Sequence, residues 1–216
     1  MRKVLYSLFI ISALAACKKD ETLRYNNVTM GNIHGEEIMT IKIYKEGVFM
    51  KLLIASDIHG SAEYCRKLIK AIEREEATKV LLLGDILYHG PRNDLPRDYD
   101  PKAVIAMLNP LASEIVCVRG NCESEVDALV LDFPVLADYA LISEEALGGS
   151  LIFATHGHLF NASKLPPLKR GDILIHGHTH VPCFEQKDGV TILNPGSVSI
   201  PKEGSVESYM VLNGAV

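Results

Sequence analysis

Tryptophan is absent from the 216 residues, and phenylalanine and tyrosine number only 6 and 8. So few flat rings argue against a stacking platform for single-stranded nucleic acid. An excess of positive charge is missing too: 22 Lys and Arg face 27 Asp and Glu, net −5, with no basic stripe. The electrostatic footprint of a nucleic-acid binder is therefore not written in this sequence. The 5 cysteines, at positions 17, 65, 117, 122 and 183, are odd in number and form no C-x-x-C pair. They read as reduced thiols, not as a disulfide framework. Internal repeats and low-complexity segments are also lacking, so repeat architectures are not expected. With 48% hydrophobic and 23% charged residues, the composition is that of an ordinary globular protein with one sizeable core.

The first residues differ from the rest. "MRKVLYSLFIISALAACKKD" has a basic start, an apolar stretch from Val4 to Ala16, then small residues before Cys17. That is the layout of a bacterial lipoprotein signal over residues 1–17, with Cys17 as the lipidated residue. The stretch is too short for a comfortable transmembrane helix, which takes about 20 residues. A fortuitous apolar leader is the alternative. Residues 18–49 are polar, show no period and are expected to be an irregular linker or an unrelated extension. "MKLLIASDIHG" then begins at Met50 like the first strand of a domain running over 50–216. Location follows the leader: a membrane-anchored lipoprotein if it is genuine.

From Met50 onward, short apolar runs alternate with polar clusters. Residues 51–56, 79–84 and 114–118 read as buried strands, nearly all apolar as two-face-buried parallel strands should be. Ser61 caps a predicted helix to Glu75 with Leu68, Ile69 and Ile72 inward. Asp100 followed by Pro101 opens a second helix, to about Leu108. Further strands are expected at 150–155, 172–177 and 206–212, with Asp188-Gly189 turning a hairpin between them. Helices early and strands late argue for an α/β layered sandwich.

Five of these strands deliver chemistry at their C-terminal ends: Asp57 and His59, Asp85, Asn121, His156 and His158, then His178 and His180. In open α/β sheets this edge is where ligands bind. Two carboxylates, an amide and several imidazoles on one rim suit borderline first-row ions such as manganese, iron or zinc. The set exceeds the three protein ligands usual for one catalytic zinc. It suits two ions about 3.5–4 Å apart that share one carboxylate. Asp85, on an interior strand, is the natural bridge.

"SDIHGS", "LLGDILYHGPRN", "VRGNCESEVD", "THGHLF", "GHTHVP" and "NPGSVSIPK" together resemble the calcineurin-like metallophosphoesterase superfamily over about residues 50–210. Within it they are most similar to the small bacterial YfcE-type phosphodiesterases. The resemblance implies a four-layer α/β/β/α sandwich and hydrolysis of small phosphodiesters by water activated at a dinuclear centre. Manganese is the favoured metal, with zinc, iron or nickel as alternatives. One ion falls to Asp57, His59, Asp85 and His180, the other to Asp85, Asn121, His156 and His178. Self-association and a cytoplasmic catalytic domain also follow from it.

Around these, Asn121 is expected to position the phosphate, His158 to hydrogen-bond substrate and Arg92 to contact phosphate, against packing or surface roles for the last two. His176 is expected to pack behind the site. Cys122 stands where the superfamily often has a histidine acting as general acid. A thiol with pKa near 8.5 is a poor proton donor at neutral pH, so substrates with good leaving groups are favoured. Two rivals are a scaffold of the same fold with a decayed metal site, as in a retromer subunit, and a phosphomonoesterase.

Overall fold

Side chains at 52–55, 80–83 and 210–212 alternate between two buried faces, and that alternation builds the molecule. The computed structural model describes residues 28–32, 34, 37–41, 49–143 and 150–215. Its strands are β1 (Val28–Asn32), β2 (Glu37–Ile41), β3 (Phe49–Ala55), β4 (Lys79–Leu82), β5 (Ile115–Cys117), β6 (Tyr139–Ser143), β7 (Leu151–Thr155), β8 (Ile173–Ile175), β9 (Cys183–Lys187), β10 (Val190–Asn194) and β11 (Ser208–Ala215). Two α-helices accompany them among the described residues, α1 (Ala62–Arg74) and α2 (Pro101–Leu108).

One sheet has the order β2-β1-β11-β3-β4-β5, the other β6-β7-β8-β10-β9. Leu53, Ala55, Val80, Leu82 and Val211 turn outward, onto Leu68, Ile72, Val104 and Leu108 of the two helices. Leu52, Ile54, Leu81, Leu83, Met210 and Leu212 turn inward, onto Ile152, Ala154, Ile173, Ile175 and Leu193 of the other sheet. A period of two in strands buried on both faces explains why the runs Leu52–Ala55 and Val80–Leu82 carry no polar residue. The far side of the second sheet buries Phe153, Leu174, Val190 and Ile192 under Phe160, Ala162, Leu165 and Leu168. Among the described residues this fourth layer is irregular chain and not helix; "LFNASKLPPLK" holds two adjacent prolines and too few periodic apolar positions for one.

The expected caps are present. Ser61 Oγ accepts from Tyr64 N (3.3 Å) at the start of α1, and Asp100 Oδ1 accepts from Ala103 N (3.1 Å) at the start of α2. Asp188 and Gly189, both at positive φ, join β9 to β10.

Two expectations need correction. Residues 18–49, read as irregular, contain β1 and β2; β1 runs antiparallel to β11, from Val28↔Leu212 to Asn32↔Ser208. The β11 partner of β1 lies some 180 positions away in the chain, and among the described residues β2 is an edge strand that pairs only with β1, so local periodicity carries no signal of either. The strand β6 was likewise missed, because it is half-exposed and is held by pairing with β7. The leader and Cys17 lie outside the described residues. No helix among the described residues is long and apolar enough to cross a membrane.

Ile54 is fully buried between the sheets. Ile54→Ala should therefore lower unfolding stability by about 2–5 kcal/mol, measured as a fall in the chemical denaturation midpoint.

Candidate metal centre

Strands β3, β4 and β5 run parallel in one sheet, and β7 and β8 in the other. Their C-terminal ends meet at one rim. The β3–β4 ladder continues past the strands: Asp57 N donates to Gly84 O (3.1 Å), His59 N to Asp85 O (2.8 Å) and Gly60 N to Ile86 O (2.7 Å). Gly177 N donates to His156 O (2.7 Å) and locks the two loops of the other sheet in the same way. Two glycines make the approach feasible. A Cβ on Gly120 would collide with the Asp85 carboxylate, and one on Gly177 with Ser56 Oγ.

Of the nine non-glycine residues at positive φ among those described, five are Asp57, His59, Asp85, His178 and His180. Such a conformation costs on the order of 1–3 kcal/mol each and persists where the surroundings enforce it. Here it points five side chains at one place.

The tips converge. Asp85 Oδ2 lies 3.6 Å from His59 Nε2 and 3.5 Å from His156 Nε2, so one carboxylate oxygen serves both halves of the cluster. On one side, Asp57 Oδ1 is 3.2 Å from His180 Nε2, and the Nε2 atoms of His59 and His180 stand 3.3 Å apart. On the other, His156 Nε2 is 3.1 Å from Asn121 Oδ1 and 3.1 Å from His178 Nδ1. All seven candidate ligands are thus brought together. His178 and His180, one residue apart, face opposite halves.

Hydrogen bonding fixes what these atoms offer. The Nδ1 atoms of His59, His156 and His180 face the backbone carbonyls of Tyr88 (2.8 Å), Leu83 (2.6 Å) and Ile200 (2.7 Å). A carbonyl accepts only, so each Nδ1 carries the proton and each Nε2 presents a lone pair to the centre. Asp57 Oδ1 is buried with no hydrogen-bond partner, while Oδ2 accepts from Ser56 Oγ (2.6 Å) and His178 N (3.1 Å). Lone pairs that face one another at 3.1–3.6 Å in a buried site repel unless a cation lies between them. Divalent metal fits this donor set.

Titration reflects the mutual attraction of acids and imidazoles in the cluster. Burial alone would raise the Asp57 carboxyl, but the imidazoles of His180 and His59 outweigh it and hold it well below the usual carboxylate range. His59 is raised despite burial, because Asp57 faces it. Burial, with the neighbouring His156, pushes His178 down to about 4, leaving a neutral ring with a free lone pair.

The other expected residues lie around this cage. His158 is partly buried, its ring centroid 5.4 Å from that of His156 and its Nδ1 unpartnered; burial and His156 lower it. His176 is buried behind the turn with Nδ1 3.1 Å from Gly177 O, and does not enter the cluster. Cys122 is within ligand-cluster reach of His59 and Asp85, and burial with the Asp85 charge pushes its thiol far up. Arg92 is exposed and lines a cleft of about 700 Å³ together with Asn121 and Cys122.

Sequence reasoning missed Glu123. Its buried carboxylate accepts from Asp85 N (2.9 Å), Ile86 N (2.7 Å) and Gly120 N, which clamps the loop after β4 to the loop after β5. The only signal was an acid directly after Asn121 and Cys122, and nothing in the spacing says that it faces backbone.

Carboxylates, imidazoles and an amide oxygen caged at the rim of a two-sheet sandwich define the class, a metal-dependent hydrolase. The chain belongs to the calcineurin-like phosphoesterase superfamily, whose domain model matches residues 50–214. It is 45% identical over 167 residues to phosphodiesterase YfcE of Escherichia coli K12, covering 77% of this chain and 89% of that protein. It is 28% identical over 155 residues to phosphodiesterase MJ0936 of Methanocaldococcus jannaschii, covering 68% and 83%. The solved structure of YfcE, a phosphoesterase from E. coli, superposes with a TM-score of 0.72 at 46% identity, over 74% of this chain and 87% of that one.

Glu123→Ala would strand three buried backbone donors at about 1–3 kcal/mol each. The expected result is a loss of at least about 3 kcal/mol in chemical denaturation, with Glu123→Gln, which keeps one acceptor, falling between the two.

Proposed function

We propose that this protein is a metal-dependent phosphodiesterase acting on small phosphodiesters. The observation that carries the reading is the inward-facing set of unshared lone pairs from Asp57, His59, Asp85, Asn121, His156, His178 and His180. The names of the YfcE and M. jannaschii relatives support the reaction type. Asp57, His59, Asp85 and His180 would hold one ion, and Asp85, Asn121, His156 and His178 a second, with Asp85 shared. Mixed oxygen and imidazole donors accept several first-row divalent ions, and manganese is the one the family resemblance favours, with zinc, iron or nickel as alternatives. Bound divalent cations supply Lewis acidity at the phosphoryl group and make water a nucleophile at neutral pH.

The chain's own residues do the rest. Backbone carbonyls fix each imidazole tautomer, so the donors are aligned before substrate arrives. Asn121 orients the phosphate through its amide, and Arg92 neutralises the charge of the group entering from the cleft. His158, neutral and with a free ring nitrogen, hydrogen-bonds substrate. Cys122 is held as a thiol in the position from which a proton would reach the leaving oxygen. Its weak acidity suits leaving groups that depart as anions, such as aryl oxides. A scaffold role is disfavoured because no ligand position has lost its donor.

Asp85→Asn is expected to abolish manganese-dependent hydrolysis of bis(4-nitrophenyl) phosphate and to weaken metal binding in titration calorimetry, with the circular dichroism spectrum kept. Full activity in that variant would remove the bridging role, and its absence from the wild type would sink the phosphodiesterase reading. Cys122→His is expected to raise turnover of alkyl esters about tenfold or more and that of aryl esters less. An unchanged ratio would show that residue 122 does not handle the proton.

A further inference from the structure

The cleft beside the cage is larger than a phosphate requires, and its walls mix apolar with polar side chains. Tyr88, Pro91 and Arg92 line it from the loop after β4, and Val126, with Ser124 and Asp127, from the loop after β5. Asn121 and Cys122, beside the cluster, also line it, so the cleft is continuous with the site. Tyr88 is 42% exposed and Val126 64% exposed, two large apolar side chains offered to solvent next to a polar centre. Arg92 is the only cation among the lining residues.

Both walls are held in place. The Tyr88 carbonyl accepts from His59 Nδ1 at 2.8 Å, so this wall is tied directly to a candidate ligand. The Tyr88 ring packs against His89 (4.7 Å between centroids), and His89 against Tyr99 (5.3 Å). Asn93 Nδ2 closes the turn on His89 O at 2.8 Å. The loop carrying Val126, which also lines the cleft, is pinned by Asp127 Oδ2, which accepts from Ser124 N at 2.7 Å. A ring packed on its neighbour His89, in a cleft that also exposes Val126, offers a pre-formed surface to a flat partner.

We infer that this cleft is the subsite for a planar aromatic group carried on the phosphate, lying against Tyr88 and Val126 while Arg92 faces the anionic phosphoryl end. The inference rests on the phosphodiesterase reading and names the substrate class: phosphodiesters with an aryl or nucleobase-bearing substituent, in preference to purely aliphatic ones.

The test compares phenylphosphonate with methylphosphonate on the manganese-loaded protein, by titration calorimetry and by competition against bis(4-nitrophenyl) phosphate. The wild type is expected to bind the phenyl compound about five- to tenfold more tightly. Tyr88→Ala and Val126→Ser should each bring the two affinities to within about twofold, whereas Tyr88→Phe should restore the preference. Equal affinities in the wild type, or a preference untouched in both variants, would overturn the subsite. A further arm compares adenosine 5′-monophosphate with ribose 5-phosphate. A Tyr88-dependent preference for the nucleotide supports a nucleobase occupant, and dependence confined to phenylphosphonate supports a simple aryl group. Calorimetry needs no turnover, so an inactive wild type would sink the parent reading and still leave the aromatic preference measurable.

Discussion

Mutual repulsion of buried lone pairs is the constraint on which the rest of this molecule turns. Three imidazoles have committed their Nδ1 protons to backbone carbonyls, and their Nε2 atoms point at each other and at two carboxylates. Without positive charge that arrangement would push itself apart. A protein keeps such a cluster at 3.1–3.6 Å only if a cation belongs there, and the carboxylates supply the field that draws one in. The carboxylates raise His59, and the imidazoles of His180 and His59 in turn depress Asp57.

The fold exists to hold the cluster against its own strain. Five of the candidate ligands sit at positive φ on tight turns, and each turn is bonded to its neighbour by a hydrogen bond that prolongs the sheet beyond its strands. Apolar cores on both sides of the first sheet provide the stability from which that strain is drawn. Glu123 joins the two systems: it is a buried acid that spends its oxygens on backbone N–H groups of the loops bearing Asp85 and Asn121. The same two loops continue into the cleft walls. Metal geometry and substrate shape are therefore set by one short stretch of backbone on each side.

Legibility in the sequence followed the range of the forces. Ser61 and Asp100 were readable as caps because a cap acts over three residues. The doubly buried strands β3 and β4 were readable because burial on both faces removes polar residues from the run itself. Strand β1 was not, since its interior partner β11 is distant in the chain, and β2 and β6 were not, since they are edge strands held by a single neighbour. The fourth layer appears as irregular chain because a helix there would need periodicity that its prolines interrupt.

By itself the sequence determined which donors exist and that each follows a strand, because ligand type and strand burial are local properties of the residues. It also separated His176 from its neighbours, as the residue closest to an apolar run. Asp85 as the shared carboxylate and the split of His178 from His180 were expected from strand position and family resemblance, and tertiary structure alone decided that Glu123 turns to backbone. It also decided that Tyr88 and Val126, from separate loops, line one cleft. Those outcomes depend on loops from separate strands meeting across two sheets, and no interval along the chain encodes the distance between them.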